Sequence, residues 1–310
     1  MLLRNLRYLE ALAREQHFAR AARTCDVTQP TLSAGIKQLE EELGLLIVQR
    51  GQRFHGLTPE GLRVVEWTRR ILSDVESLEQ EASELRAGLV GRLRIGAIPV
   101  ALPIVAHLTA PFAARHPQVS ITITSLTSME IQRGLDDFTL DAGITYLDNE
   151  PLSHVRTLPL YRERFYLFAP ADSKLGTRGT ASWADTGSLP LCLLTPDMQN
   201  RRILNGLLTK HGVSTQAMIE TNSVLALWAH LRTGKWASIL PHPFLDLLGV
   251  PEGVKAMPLE GGEGHFTIGV VVPDREPMTP SARELLGVAG GLVFSSDGDS
   301  RPAKKEKRER

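Results

Sequence analysis

The clearest hydrophobic pattern near the amino terminus has apolar residues at intervals of four, three and four: Leu32, Ile36, Leu39 and Leu43. This spacing predicts one buried stripe along a helix. Thr28 and Pro30 at the start of the segment are typical of an N-cap and a first helical turn, and Gly44 is typical of the residue that follows a helix. The pattern therefore predicts a helix from about Thr28 to Leu43.

Two helices are predicted before this segment. The first has an apolar face: Leu6, Leu9 and Ala13. The second is short, at about Phe18–Thr24, and its small residues Ala21 and Ala22 allow another helix to approach closely. Asp26, in the turn that follows, is a residue type that tolerates a left-handed conformation. Two helices joined by so short a turn predict a helix-turn-helix.

The chain after Gly44 predicts a wing and then a long helix. A short apolar run, a turn at Gly51 and a mixed segment ending at Gly56 indicate a two-stranded hairpin. Thr58-Pro59 repeats the cap-and-proline pattern and opens a helix that reaches about Ala87.

Within the long helix, apolar residues alternate at intervals of four and three: Ile71, Val75, Leu78, Ala82, Leu85 and Leu89. This is the spacing of a coiled-coil seam, and its flanks are strongly charged. We therefore expect the helix to pair with a second copy of the chain. The alternative is a helix that lies on its own domain.

The pattern changes after Gly88 and Gly91, which break the long helix and form a hinge. From Arg92 onward, strand-like runs such as RLRIGAI, VSITITS and FTIGVVVP alternate with helix-like runs. This alternation predicts an α/β fold with parallel sheets, and the length favours two smaller sheets with a cleft between them. Residues 295–310 are poor in apolar side chains and are predicted to be disordered.

Charge and composition narrow the function class. The chain has 35 Lys and Arg against 35 Asp and Glu, but residues 1–70 carry 11 basic against 8 acidic residues. A basic head is compatible with a polyanionic partner. The two cysteines provide no disulfide framework and no four-ligand zinc site, and no apolar run is long enough for a membrane span. The amino terminus lacks the apolar core of a signal peptide, so a cytoplasmic location is expected.

One face of the predicted third helix carries side chains suited to DNA. Gln29, Ser33 and Lys37 recur every four residues, opposite the apolar stripe, with Pro30 and Thr31 beside them. Amide, hydroxyl and ammonium groups bond base edges and phosphates in the major groove. Arg50 and Arg53 flank the predicted wing turn and are placed to bind phosphates or a minor groove. Taken singly, each of these residues is more typical of a solvated surface.

The segment FARAARTCDVTQPTLSAGIKQLEEELGLLIVQRGQRFHGLTPEG resembles the N-terminal domain of LysR-type transcriptional regulators. The shared features are the alanine pair, "TQPTLS", "I-x-x-LE-x-x-LG" and "LT-x-x-G". The chain departs from the family at Ala34, where a basic residue is common, and at His17, where a serine often caps the second helix.

The resemblance implies a winged helix-turn-helix, a linker helix and two Rossmann-like subdomains like those of periplasmic binding proteins. The implied divisions are residues 1–58, 59–87, 88–91 as hinge, and 92–294, the last divided at about 92–161 with 267–294 and about 162–266. It also implies double-stranded promoter DNA, a small-molecule effector and RNA polymerase as partners, and a homotetramer built as a dimer of dimers. No cofactor or metal is implied.

Effector contacts are expected at turns that follow strands, where helix N-termini favour anions. Comparison with the family places them at the same turns, and the candidates are Pro99, Thr127, Ser128, Thr195, Met198 and Asn222. Helix capping is an equally good interpretation of Thr127, Ser128 and Asn222. Asn200, Arg201 and Arg202 could pair with an anionic effector, but they are more typical of surface residues. The run LLTPDMQNRRIL is similar to regulators of soluble formate dehydrogenase operons, which implies a small carboxylate, formate, as effector.

Two other function classes remain at this point. A solute-binding protein would share the two-lobed domain, and an enzyme could carry a helical head. The chain has no dinucleotide-binding glycine loop, P-loop, Gly-x-Ser-x-Gly or His-Glu-x-x-His motif, which disfavours an enzyme. Cys192 is expected to pack in a buried strand, and Cys25 in the turn remains a candidate redox group.

Overall fold

The computed structural model describes residues 2–49, 54–175, 178–214, 216–261, 266–294 and 300–302. Contacts divide the chain into two units, one of Met1–Ala87 with Asp137–Thr139 and one of Gly88–Asp136 with Leu140–Arg310. Arg50, Arg53 and Gly51 of the predicted wing lie outside the described residues. In the part that the structure describes, no helix is both long and apolar enough to cross a bilayer.

The first unit is helical: α1 (Leu3–Glu15), α2 (Phe18–Thr24), α3 (Gln29–Leu43) and α4 (Pro59–Ala87). The predicted ends of α3 are confirmed. The Thr28 hydroxyl accepts a hydrogen bond from the Thr31 amide at 3.4 Å, and Gly44 adopts a left-handed conformation with φ 69°. Asp26, in the turn between α2 and α3, also has positive φ, at 56°.

The apolar stripe of α3 is one residue shorter than predicted. Leu32 and Leu39 are fully buried, and Leu39 packs with Leu6 and Leu9 of α1. Leu43 is 40% exposed, because the packing of α1 covers α3 only as far as Leu39. The predicted seam of α4 is also shorter, since α4 ends at Ala87 and Leu89 is buried in the core of the second unit.

The second unit contains strands in four sheets: β1 (Gly91–Ala97), β2 (Val119–Ser125), β3 (Ala142–Tyr146), β4 (Val155–Arg162), β5 (Phe165–Pro170), β6 (Cys192–Leu194), β7 (Ile219–Thr221), β8 (Ser238–Pro241), β9 (Val254–Pro258), β10 (Thr267–Pro273), β11 (Leu292–Phe294) and β12 (Ser300–Pro302). Its helices are α5 (Leu102–Arg115), α6 (Ser128–Asp136), α7 (Trp183–Thr186), α8 (Gln199–Lys210), α9 (Val224–Leu231), α10 (Pro243–Leu248) and α11 (Pro280–Gly290), with a 3-10 turn at Pro99–Ala101.

These strands form two subdomains. The first contains the sheet β2-β1-β3-β10-β4, and the second contains β8-β5-β9 and the pair β6-β7. The chain crosses from the first to the second between β4 and β5, and it returns between β9 and β10.

The expectation of parallel sheets is met only in part. The pairs β1–β2, β1–β3 and β6–β7 are parallel, but β10 is antiparallel to β3 and β4, and β5 is antiparallel to β8 and β9. β10 returns from the second subdomain and lies between β3 and β4, with Ile268 beside Tyr146.

The expectation of disorder throughout residues 295–310 is wrong for three of them. Ser300–Pro302 form β12, which pairs antiparallel with β11. The apolar strand Leu292–Phe294 provides the edge for this pairing. The rest of that segment lies outside the described residues.

Candidate DNA interface and candidate effector site

The proposed DNA-reading side chains lie on the solvent side of α3. Gln29, Ser33 and Lys37 are exposed, whereas Leu32 and Ile36 on the same helix are at most 3% exposed. Lys37 forms a surface ion pair with Glu41 at 3.6 Å, which competes only weakly with another anion because both side chains are solvated. The helix therefore presents one polar side to solvent and packs its other side into the core.

The beginning of α3 is also exposed at Pro30 and Thr31. The Thr31 hydroxyl lies 2.8 Å from the hydroxyl of Thr28, so it is oriented by the N-cap. Pro30 lies in the first turn, where its missing N–H leaves no hydrogen bond unmade.

α2 holds α3 in place through small residues and an unusual cap. Ala21 is fully buried and Ala22 is 3% exposed, as the close approach of α3 requires. His17 replaces the common serine and caps the helix in the same way, because its Nδ1 accepts a hydrogen bond from the Ala19 amide at 3.2 Å.

The described residues that precede and follow residues 50–53 pair with each other at the base of the wing. The Gln49 amide donates to the Gly56 carbonyl at 3.0 Å, and Val48 and Leu57 form an antiparallel bridge. Phe54 packs edge-on against Phe18 of α2, with ring centroids 6.1 Å apart. The predicted phosphate contacts Arg50 and Arg53 lie outside the described residues.

α4 exposes large apolar side chains along its length. Trp67 is 61% exposed, Leu78 is 69% exposed and Leu85 is 81% exposed. Isolated exposed leucines are ordinary, but Leu78 and Leu85 are separated by one heptad and lie on the predicted seam.

In the second unit, strand pairing gathers one group of candidate effector residues. Ala97 at the end of β1 pairs with Ser125 of β2 and with Ile144 of β3. Pro99, Thr127 and Ser128 follow these strand ends and are therefore neighbours at one edge of the sheet. Pro99 and Ser128 are buried.

A second group comes from the other subdomain. The Thr195 amide donates to the Thr221 carbonyl at 3.1 Å, which joins the ends of β6 and β7. Thr195 and Met198 follow β6, and Asn222 follows β7. The Thr195 Oγ1 is buried without a hydrogen-bond partner, Met198 is 7% exposed, and Asn222 is exposed.

The first turn of α8 joins the two groups. The Thr145 hydroxyl donates to Gln199 Oε1 at 3.5 Å, Gln199 Nε2 donates to the Asn149 carbonyl, and Asn200 Nδ2 donates to the Tyr146 hydroxyl at 2.9 Å. The edges of both subdomains thus meet around the N-terminus of α8.

Capping accounts for part of the candidate set. Thr127 forms a reciprocal cap with Glu130, since its amide donates to the Glu130 carboxylate at 2.8 Å and its hydroxyl accepts from the Glu130 amide at 3.2 Å. At α9 the cap is Ser223, not its neighbour Asn222.

The surface interpretation of Asn200 and Arg201 is wrong. Asn200 is 3% exposed and Arg201 is 7% exposed. Arg201 donates to the Leu194 carbonyl at 2.5 Å and to Glu220 at 2.8 Å, so its charge is neutralised inside the second subdomain. Arg202 is partly exposed and forms a bidentate pair with Glu150 at 2.9 and 2.5 Å.

Sequence patterns do not identify several polar residues at this junction: Thr145, Tyr146, Glu163 and Gln199. Thr145 and Tyr146 end a strand, so the rule that ligands lie beyond strand ends points to them. Glu163 and Gln199 carry no local signal, because only the meeting of the subdomains buries them. Among the described residues, no cluster of three His, Cys, Asp or Glu is placed to hold a metal ion.

Family comparison decides the class of protein. Residues 3–62 match the family described as "Bacterial regulatory helix-turn-helix protein, lysR family". Residues 86–291 match the family described as "LysR substrate binding domain". The second match alone covers more than half of the chain. The chain belongs to the LysR family.

LysR-family membership confirms the resemblance drawn from the α2–α3 motifs, and the chain is an effector-responsive DNA-binding transcriptional regulator. A hydrogen peroxide-inducible genes activator of Dickeya chrysanthemi is 29% identical over 286 residues, which is 92% of this chain and 93% of the relative. The dual regulator OxyR of Escherichia coli K12 is 29% identical over 291 residues, with the same coverage.

Solved structures of LysR-family regulators share the fold. A full-length variant of OxyR from Pseudomonas aeruginosa has a TM-score of 0.73 at 28% identity, and the match covers 94% of this chain and 97% of that protein. CbnR in complex with its target DNA has a TM-score of 0.67 at 20% identity, with coverage of 94% and 99%. The predicted fold class, with a helix-turn-helix head and a two-subdomain α/β unit, is confirmed.

Proposed function

We propose that this LysR-family chain reads promoter DNA with the exposed side of α3 and responds to a small molecule bound where the two subdomains meet. The observation that carries the first part is the division of α3, with Gln29, Ser33 and Lys37 in solvent and the opposite stripe in the core. The head is residues 1–58, the linker helix is 59–87, the hinge is 88–91 and the effector-binding part is 92–294.

The residues that meet DNA have different roles. Gln29 and Ser33, with Pro30 and Thr31 beside them, contact base edges, since amide and hydroxyl groups match those donors and acceptors. Lys37 and the wing residues Arg50 and Arg53 bind phosphates, which carry affinity without sequence information.

Binding to operator and to random duplex DNA separates these roles. Gln29→Ala and Ser33→Ala should each reduce the preference for operator by about 1–3 kcal/mol, the value of one good hydrogen-bonded match to a base. Arg53→Ala should weaken both duplexes alike. Gln38→Ala is the matched control, because Gln38 is an exposed glutamine of the same helix that lies on the opposite side from Gln29. Equal weakening on both duplexes from Gln29→Ala contradicts the proposed base recognition.

For the assembly, we propose a dimer formed through α4 and a tetramer formed from two such dimers. The exposed Leu78 and Leu85 support the first interface, because pairing removes both from water. Two heads on one duplex place α3 at successive half-sites, and RNA polymerase is the further partner of a regulator at a promoter.

For the effector, we propose a small anion, with formate as the first compound to test. α6 follows a strand of the first subdomain and α8 follows a strand of the second, and the amides at helix N-termini favour anions. Arg201 and Arg202 are already paired with Glu220 and Glu150, so binding depends mainly on these amides and on Ser128 and Thr195. Closure around the ligand changes the spacing of the heads and therefore the bend of the DNA.

Thermal stability of the full chain with formate, acetate and larger carboxylates tests this ligand class. A ligand at one hundred times its Kd should stabilise the folded chain by about 2.7 kcal/mol, whereas sodium chloride at equal ionic strength should not. The effective compound should also change the DNA bend angle. If no carboxylate raises the melting temperature, the anionic effector is rejected while the DNA assignment is unaffected.

The names of the relatives suggest peroxide sensing, but the cysteines of this chain favour a bound effector instead. Peroxide oxidises thiolates that are accessible and of low pKa. Cys192 is fully buried and burial raises its pKa to about 11. The pKa of Cys25 is also raised, by burial and by Glu10, and its Sγ lies 3.9 Å from the Arg7 carbonyl oxygen.

A further inference from the structure

Glu163 occupies the point where the chain crosses between the subdomains. It lies between β4 of the first subdomain and β5 of the second, and its amide donates to the Phe266 carbonyl at 2.8 Å, which ties this crossing to the returning chain. Its side chain is only 5% exposed. A glutamate is rarely buried at such a depth without a paired cation.

A continuous hydrogen-bonded chain runs from Glu163 into both subdomains. Glu163 Oε2 is 2.5 Å from the hydroxyl of Tyr146 at the end of β3, and that hydroxyl accepts from Asn200 Nδ2 in the first turn of α8 at 2.9 Å. Tyr146 is 1% exposed and Asn200 is 3% exposed. One polar chain thus links the crossing, the first sheet and α8.

The second carboxyl oxygen of Glu163 makes this series of hydrogen bonds sensitive to ionisation of the carboxyl group. Glu163 Oε1 is buried without a hydrogen-bond partner. Burial raises the pKa of Glu163 to about 8, and the hydrogen bond from Tyr146 only partly opposes this. The carboxyl is therefore largely neutral at pH 7. Ionising it would place a charge in the interior with a hydrogen bond to only one of its two oxygens.

The described groups packed around Glu163 provide no compensating cation. Tyr161 of β4 is buried, and its ring meets that of His242 edge-on with centroids 5.4 Å apart. Burial and Arg164 lower the pKa of His242 to about 4, so His242 is neutral. The side chains of Arg162 and Arg164 are exposed, as the alternation of an extended chain requires.

We propose that Glu163, Tyr146 and Asn200 form a proton-dependent latch, which holds the first turn of α8 on β3 while the Glu163 carboxyl is protonated and releases it when the proton is lost to solvent. Release admits water to Glu163 Oε1, which relieves the unsolvated charge. The latch goes beyond the proposed function, because it requires neither DNA nor an effector.

The direction of the pH effect follows from the raised pKa. An exposed glutamate titrates near 4.5, so a released form loses its proton at lower pH than the latched form. The latched arrangement therefore weakens steadily as pH rises from about 4.5 to about 8, and it is strongest below that range.

Hydrogen–deuterium exchange of the full chain, corrected for the intrinsic pH dependence, measures the latch. Two amides report on the latch: that of Arg202 in the first turn of α8, which donates to the Met198 carbonyl at 3.2 Å, and that of Leu147 just after β3, which donates to the Thr267 carbonyl at 2.8 Å. Both should lose about tenfold in protection per pH unit across this range in the natural chain. Glu163→Gln keeps the shape without the charge and should hold protection constant from pH 6 to 9. Glu252→Gln, which changes an exposed carboxyl, should behave like the natural chain.

Asn200→Ala provides a second test that leaves Glu163 in place. It removes the link to α8, so the Arg202 amide should exchange rapidly at pH 6 as well as at pH 9. A Glu163→Gln variant that keeps the natural pH profile overturns the latch. If that variant does not fold, an Asn200→Ala chain whose α8 amides stay protected at pH 6 overturns it equally.

Discussion

The position of Gly61 in the fold explains why this motif residue is a glycine. It is the glycine of "LT-x-x-G", in the first turn of α4, and a Cβ placed there would lie 2.1 Å from the carbonyl oxygen of Ile47. Nearby, the Thr58 hydroxyl accepts from the Gly61 amide at 2.9 Å and donates to the Leu46 carbonyl at 2.6 Å. The glycine thus allows the start of α4 to touch the backbone that leads into the wing.

Gly61→Ala should therefore destabilise the head strongly. The obstructing atom belongs to the backbone and cannot rotate away, so a loss of about 2 kcal/mol or more is expected in urea unfolding. Gly206→Ala is the matched control, because that helical glycine has open space around its Cβ position, and alanine should be neutral or slightly stabilising there. Equal stability of the two variants would refute the close approach.

At the scale of elements, α4 shows what an apolar repeat in the sequence can predict and what it cannot. The heptad spacing predicts a helix to about Ala87, and α4 spans Pro59–Ala87. The same spacing includes Leu89, which belongs to another core because the positive φ of Gly88, 105°, ends the helix first. Apolar periodicity identifies a helix well, but it does not show in which hydrophobic core each apolar side chain packs.

If α4 forms the dimer interface, Leu78→Asp and Leu85→Asp should shift the chain toward monomer. Both side chains are exposed within one chain, so folding should be little affected while a charge enters the seam. Sedimentation equilibrium measures the assembly, and thermal unfolding measures the fold. Leu247→Asp, which replaces a leucine of α10 that is 60% exposed, should leave the assembly unchanged. An unchanged assembly in the α4 variants would exclude this interface.

Other elements carry weaker signals. The sequence patterns do not predict strands β4 and β9 or helix α11, and Val155–Arg162 and Val254–Pro258 contain prolines or charged residues that obscure the alternation of a strand. Their pairing partners, β10 and β5, lie far away in sequence and supply the stabilisation that the local pattern lacks.

At the scale of the whole molecule, His242 should make a contribution to stability that declines in mild acid. This ring is 7% exposed, and its pKa falls from 6.5 to about 4 through burial and the nearby Arg164. Below pH 6.5 the imidazole of His242 binds a proton in the unfolded chain but not in the folded chain, so the contribution of His242 to the free energy of unfolding falls as pH drops toward 4. The full effect is on the order of 3 kcal/mol.

His242→Asn should remove this acid sensitivity, because the Asn oxygen can replace Nδ1 as acceptor for the Arg164 amide without titrating. Chemical unfolding of both chains at about pH 7, 6, 5 and 4 provides the comparison. Glu163 acts in the opposite direction over part of this range, so the difference between the two chains isolates His242. A constant difference at every pH would contradict the assignment.

Local chemistry is enough to establish the helices of the head. Caps, prolines, glycines and apolar spacing act over a few residues, so α2, α3 and α4 can be placed closely, and the exposed side of α3 follows from its buried stripe. The junction of the subdomains cannot be found in this way. Glu163, Tyr146 and Asn200 are far apart in sequence, and their burial and altered protonation arise only when two sheets and α8 exclude water around them.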